Sequence, residues 1–108
     1  MFSVLITAYD RHDLTVVHAR EAMNADTAPD EVIVVNDGGT PDLLDKLKAL
    51  PKKCRLVYAR IEQDIPWNYP GACNLGFWLS RGELVFFEDN DNIPTRGFYG
   101  QAIQYMQD

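Results

Sequence analysis

The sequence predicts an α/β fold, a Rossmann-like three-layer α/β/α arrangement around a mostly parallel sheet. Three observations carry this reading. Four apolar runs rich in Val, Ile, Leu and Phe alternate with four stretches whose apolar residues recur at helical spacing. The apolar runs are near-continuous, as strands covered on both faces require. Each run ends in a polar break, and in a parallel sheet all such breaks open on one edge, where ligands of open α/β sheets bind.

The elements follow in order. Phe2 to Ala8 is the first strand, closed by Tyr9-Asp10. Asp13 is placed to cap a helix over Leu14 to Asn24, with Leu14, Val17, Ala19, Ala22 and Met23 on its inner face. Glu31 to Asn36 is the second strand, and Asp37-Gly38-Gly39 turns the chain. Thr40 caps the next helix, Pro41 takes its first position, and Leu43, Leu44, Leu47 and Leu50 form its buried stripe. Arg55 to Arg60 is the third strand. A longer segment, Ile61 to Tyr69, leads into a helix from about Pro70 to Ser80, with Leu75, Trp78 and Leu79 inward and Gly82 beyond its end. Leu84 to Phe87 is the fourth strand, running into Glu88-Asp89-Asn90-Asp91-Asn92 and then Pro94. A last helix carries Phe98, Ala102, Ile103 and Met106. No repeat, linker or low-complexity segment interrupts the order.

With 108 residues and 46% hydrophobic content, the chain has material for one domain with a real core. The formal net charge of −6 and a pI near 4.7 argue against nucleic acid as the main partner. A phosphorylated ligand would need a bound cation or backbone donors. Two cysteines, Cys54 and Cys73, are too few for a disulfide framework and fit a reducing compartment. The start lacks the basic and long apolar stretches of a signal peptide, and no run has the ~18 apolar residues of a membrane span. The expectation is a cytoplasmic protein with no membrane segment.

Several site chemistries are excluded by their missing residues. The first strand is followed by no G-x-G-x-x-G, and no G-x-x-x-x-G-K-[ST] occurs. His12 and His18 are isolated and the cysteines lie far apart, so no zinc site is formed. No G-x-S-x-G marks a nucleophile elbow. What remains on the shared edge is an aromatic, Tyr9, an acid, Asp37, and the acidic pair Asp89 and Asp91. Tyr9 offers a face on which a base can stack. Asp37 can accept hydrogen bonds from a base, and Asp89 with Asp91 can hold Mg²⁺ or Mn²⁺ against a diphosphate. The bland alternatives are strand-end packing for Tyr9 and solvated turn positions for the acids.

At this point the chain resembles a family. Ser3 to Asp10 is similar to the first strand of family-2 glycosyltransferases of the GT-A fold, V-x-I-P-x-Y-N. Glu31 to Gly39 is similar to their E-I-I-V-V-D-D-G-S. Gly71 to Phe77 followed by Ser80 to Val85 matches G-x-x-x-A-R-N-x-G and A-x-G-E-x-I, and Asp89-Asn90-Asp91 falls at their D-x-D. The resemblance covers nearly the whole chain and implies a truncated GT-A fold, one nucleotide-sugar-binding domain over residues 1–108 without the acceptor-binding half. It implies binding of a nucleotide-diphosphate sugar and transfer of the sugar to an unknown acceptor with inversion. Carried over by position, Thr7 and Tyr9 line the base pocket, Asp37 binds the base, Asp89 meets ribose and metal, and Asp91 ligates Mn²⁺ or Mg²⁺.

The chain departs from the pattern in places. Asn36 replaces the first acid of D-D-G-S, Gly39 replaces its serine, and Cys73 replaces an arginine, leaving Arg60 or Arg81 as candidate substitutes. No catalytic base is visible. Glu88, His12 and His18 read as solvent-facing, Asn74 as a brace for its helix, Cys73 as buried and inert, and Trp67 and Tyr69 as loop residues that pack or touch sugar. Two alternatives to the enzyme stand beside it: a non-catalytic module binding nucleotide or a partner, and a chain that forms a homo-oligomer through an apolar edge.

Overall fold

The computed structural model describes residues 1–107. Its elements are β1 (Phe2–Ala8), α1 (His12–Met23), β2 (Glu31–Asp37), α2 (Leu43–Lys48), β3 (Arg55–Ile61), α3 (Tyr69–Leu79), β4 (Leu84–Asp89) and α4 (Phe98–Gln107). The expected alternation is present throughout. The sheet has the order β3-β2-β1-β4 and every neighbouring pair is parallel.

The two-residue period of the strands sorts the core into two layers. Val4, Ile6, Val32 and Val34 point to one face and pack with Ala19 and Ala22 of α1, Leu43 and Leu47 of α2 and Tyr99 of α4. Leu5, Ile33 and Val35 point to the other and meet Ala72 and Leu75 of α3. The order of the strands explains the split. The first two crossovers step in one direction on one face. The third returns across the sheet to the free side of β1, and a right-handed crossover in that direction must pass over the opposite face. The carboxyl ends of β1 and β4 are therefore neighbours, and the turns that follow them lie side by side at one edge of the sheet.

Local expectations are corrected at several places. Asp13 does not cap α1. Arg11, in the left-handed region at φ 53° and ψ 48°, precedes the helix, and Asp13 lies in its first turn, where its charge favours the helix N-terminus. The second helix is only six residues long and starts after Asp42. Thr40 and Pro41 precede it, the Thr40 hydroxyl donating to the Asp42 carboxylate. In α3, Ala72 and Gly76 face the sheet, while Trp78 is 79% exposed. Gly76 sets this phase by letting the helix close onto the Leu5 side chain, and a residue two positions on lies about 200° around the helix. In α4 the buried anchor is Tyr99, and Met106 is exposed.

The fourth strand departs from the expectation of a strand buried on both faces. β4 is an edge strand, and α3 lies over β1 and β2 rather than over it. Phe87 is accordingly 47% exposed, stacked on Phe77 at 6.2 Å between ring centroids. His12 and His18 are both buried, not surface residues. No helix among the described residues is long and apolar enough to cross a membrane.

Candidate functional site

A cavity of about 610 Å³ opens at the carboxyl edge of the sheet, lined by the ends of β1, β2 and β4 and by the loop between β3 and α3. Thr7, Tyr9, Asp37, Asp89 and Asp91 all line it. Three strand ends and two turns, 84 residues apart at their extremes, thus converge on one space, as parallel topology requires.

Each side chain is set by its strand. The Tyr9 ring is half-exposed over the cavity, and its hydroxyl donates to Asp64 Oδ2 at 2.6 Å. That hydrogen bond, with the Asp64 charge behind it, pushes the phenol up from its ordinary value. Asp37 leaves β2 on the α3 side, where its Oδ1 accepts from Asn68 Nδ2 at 2.9 Å. Asp89 leaves β4 on that same side, beside Tyr69. A hydrogen bond with Cys73 pushes Tyr69 up to about 12, with burial and the Asp89 carboxylate adding to it. Asp91 stands one residue beyond Asn90 in a turn that Asn92 N–H closes on Asp89 O at 3.1 Å.

The electrostatics are one-signed. Asp10, Asp37, Asp64, Asp89 and Asp91 line the cavity, and no Lys or Arg does. Among the described residues none of Asp37, Asp64, Asp89 or Asp91 enters an ion pair. Such a cavity repels a bare diphosphate and attracts a cation. Among the described residues there is no group of three or more His, Cys, Asp or Glu able to enclose a metal alone. Two carboxylates with open space beside them instead suit Mg²⁺ or Mn²⁺ held by one or two acids plus phosphate oxygens.

The departures from the family pattern have local reasons. Asn36 is fully buried and uses both halves of its amide. Oδ1 accepts from Gly39 N–H at 2.9 Å, while Nδ2 donates to Thr40 O at 2.8 Å and faces Tyr58 Oη at 3.1 Å. A carboxylate has no hydrogen to give the Thr40 carbonyl. Gly39 is pressed so close to Tyr9 O and Asn36 Oδ1 that any Cβ there would collide with both. The amide at 36 and the glycine at 39 therefore form one device that draws the turn after β2 against Tyr9. Neither arginine replaces the cation lost at Cys73. Arg60 Nε donates to Gly39 O at 2.9 Å and Arg81 lies at the amino end of the sheet, so neither lines the cavity. Cys73 is half-buried rather than sealed in the core.

Sequence reasoning missed Asp64 and Asn68, because the loop after β3 carries no family motif. Trp67 is 97% exposed at φ 58°, on the cavity rim rather than packed over α3. It also misread Glu88, which turns inward to His18 and Tyr99.

Comparison with known proteins decides the family. A family model described as glycosyl transferase family 2 matches residues 3–108. The chain belongs to glycosyltransferase family 2. An uncharacterized glycosyltransferase of Rickettsia bellii (strain RML369-C) is 33% identical over 106 residues, which is 98% of this chain and 15% of that protein. Two solved structures share the GT-A fold. S. aureus TarS 1-349 superposes with a TM-score of 0.81 at 22% identity, over 98% of this chain and 32% of that one. The mannosyltransferase PcManGT from Pyrobaculum calidifontis, in complex with GDP-Man and Mn²⁺, gives 0.83 at 19% identity, over 99% and 32%. TarS 1-349 is also known in complex with UDP-GlcNAc. The chain thus spans about a third of the length of these two structures and 15% of that of the Rickettsia protein, and it shares with the two structures their fold.

Proposed function

We propose that this family-2 chain binds a nucleotide-diphosphate sugar through Mn²⁺ or Mg²⁺ and serves transfer of the sugar to an acceptor with inversion. One observation carries the reading: residues from three strand ends line one cavity whose five acids have no lysine or arginine among them. Ligands of that kind in the related PcManGT and TarS structures support it.

In this reading Thr7 and Tyr9 form the base pocket, the Tyr9 ring giving a stacking face fixed by its bond to Asp64. Asp37, steadied by Asn68, accepts a base N–H. Asp89 serves both ribose and metal, and Asp91 is the direct metal ligand. A bound Mn²⁺ or Mg²⁺ supplies neutralisation of the diphosphate and stabilises it as a leaving group. Direct displacement needs a base to take the acceptor hydroxyl proton, and no residue of this chain is assigned that role.

Calorimetric titration of UDP, GDP and their sugar conjugates tests the reading. With Mn²⁺ one nucleotide class binds, and EDTA abolishes the binding. Asp91→Asn weakens it at least about tenfold, the scale of a lost charge-assisted contact, with the unfolding midpoint unchanged. Binding that persists in EDTA refutes the metal bridge. Slow hydrolysis of the bound donor separates an enzyme from a pure binder.

A further inference from the structure

Glu88 occupies a position where the sheet calls for an apolar side chain. Along β4, Leu84 and Phe86 pack into the core against α1 and α4, and Glu88 is next in the same two-residue period. A carboxylate buried there needs partners. Two helices bring them. His18 of α1, fully buried, places Nε2 2.6 Å from Glu88 Oε1. Tyr99 of α4, also fully buried, donates its hydroxyl to the same oxygen at 3.1 Å. The second oxygen, Oε2, is buried with no partner among the described residues.

The other side of the imidazole reaches the acidic turn. His18 Nδ1 lies 3.3 Å from the carbonyl oxygen of Asn90. A carbonyl only accepts, so Nδ1 carries the hydrogen and donates. The Asn90 side chain is held as well, its Nδ2 donating to Asp10 O at 3.2 Å and to Thr15 Oγ1 at 3.3 Å. Asn90 is the residue between Asp89 and Asp91. Its main chain and side chain are both tied backwards to α1 and the loop before it, while the flanking carboxylates line the cavity. Apolar residues at 18, 88 and 99 would fill the same space without the desolvation cost of buried polar groups. They would not hold the Asn90 carbonyl.

We propose that His18 and Glu88, braced by Tyr99, are positioning residues that fix Asn90 from behind and so set the aim of Asp89 and Asp91. The part concerning ligand affinity rests on the reading of those two acids given above; the part concerning the turn does not.

Two variants of the whole chain test it. His18→Leu/Glu88→Leu/Tyr99→Phe replaces the network by apolar side chains of similar volume, so the core stays filled. Glu88→Gln keeps the shape and serves if the triple variant does not fold. Amide hydrogen exchange is read at residues 89–92 and, as a control, in β1 and β2. Exchange at 89–92 rises about tenfold or more in the triple variant, and by a smaller factor in Glu88→Gln, with the β1 and β2 amides unchanged. Unaltered exchange at 89–92 overturns the proposal, and so does an equal rise everywhere, which marks a purely structural role. The second readout is calorimetry of Mn²⁺ with UDP or GDP, in which the variants bind about tenfold more weakly than the wild type. A wild type that binds neither nucleotide sinks the functional reading and leaves the exchange result to decide this one. A wild type that binds, with variants that bind equally well, overturns the control of aim.

Discussion

Glu31 shows how a motif residue is assigned its job by its surroundings. It opens β2 at the end of the sheet opposite the cavity and is fully buried. Ser3 Oγ donates to it at 2.6 Å, Arg81 N–H at 2.6 Å and Arg55 Nη1 at 2.7 Å. One carboxylate thus joins β1, β3 and the approach to β4. Burial pushes its pKa up, but the bonds from Ser3, Arg81 and Arg55 outweigh burial and hold it below the ordinary glutamate value. A lowered folded-state pKa means the stabilisation is complete above the unfolded value of about 4.3 and is lost as pH falls through the folded one. Glu31→Gln should cost about 1–3 kcal/mol at pH 7, and the gap to wild type should narrow as the medium is acidified past that value. Urea midpoints at neutral and acid pH measure both, and a gap independent of pH contradicts the account.

Among the elements, α3 depends on contact at one small residue. Its Gly76 lies over Leu5 of the central strand, and a Cβ there would meet the leucine methyl groups. Helix propensity favours replacing that glycine by any residue but proline, by up to about 1 kcal/mol. Overpacking a buried contact costs about 1–3 kcal/mol. Packing wins, so Gly76→Val should lower the unfolding free energy measured by urea denaturation by that order, and a variant of unchanged or raised stability would show that α3 can lift without loss. The same contact explains why Trp78 faces out although its apolar character suggests the core. A helix presents one stripe, and Ala72 with Gly76 claims it. β4 makes the complementary point. Its first four residues, Leu84 to Phe87, are as apolar as those of β1, yet its edge place leaves Phe87 half-exposed. Apolar composition marks a strand but does not report how many neighbours that strand has.

At the scale of the whole molecule, charge and topology act together. The net charge of −6 gives a negative background, and the parallel sheet concentrates five acids at one cavity. Binding of Mn²⁺ alone should therefore weaken several-fold when salt rises from about 0.05 M to about 0.5 M, because screening shortens the reach of those charges. Electron paramagnetic resonance of free Mn²⁺ reads this directly. Affinity insensitive to salt would mean that the cavity acids do not set the local potential.

The sequence by itself determined the element order, the parallel sheet and the edge its strand ends share, where Thr7, Tyr9, Asp37, Asp89 and Asp91 are among the residues that line the cavity. These follow from hydrophobic period and from the rule that strand ends of a parallel sheet share an edge, both local or topological properties. Tertiary structure alone decided the contacts between distant residues: Asp64 under the Tyr9 hydroxyl, Asn68 on Asp37, and His18 with Tyr99 around Glu88. An acid in a run of acids reads as solvated because nothing near it in the chain neutralises it. Its partners lie 70 positions before and 11 after, and only the packing of two helices on the edge strand brings them within hydrogen-bond reach.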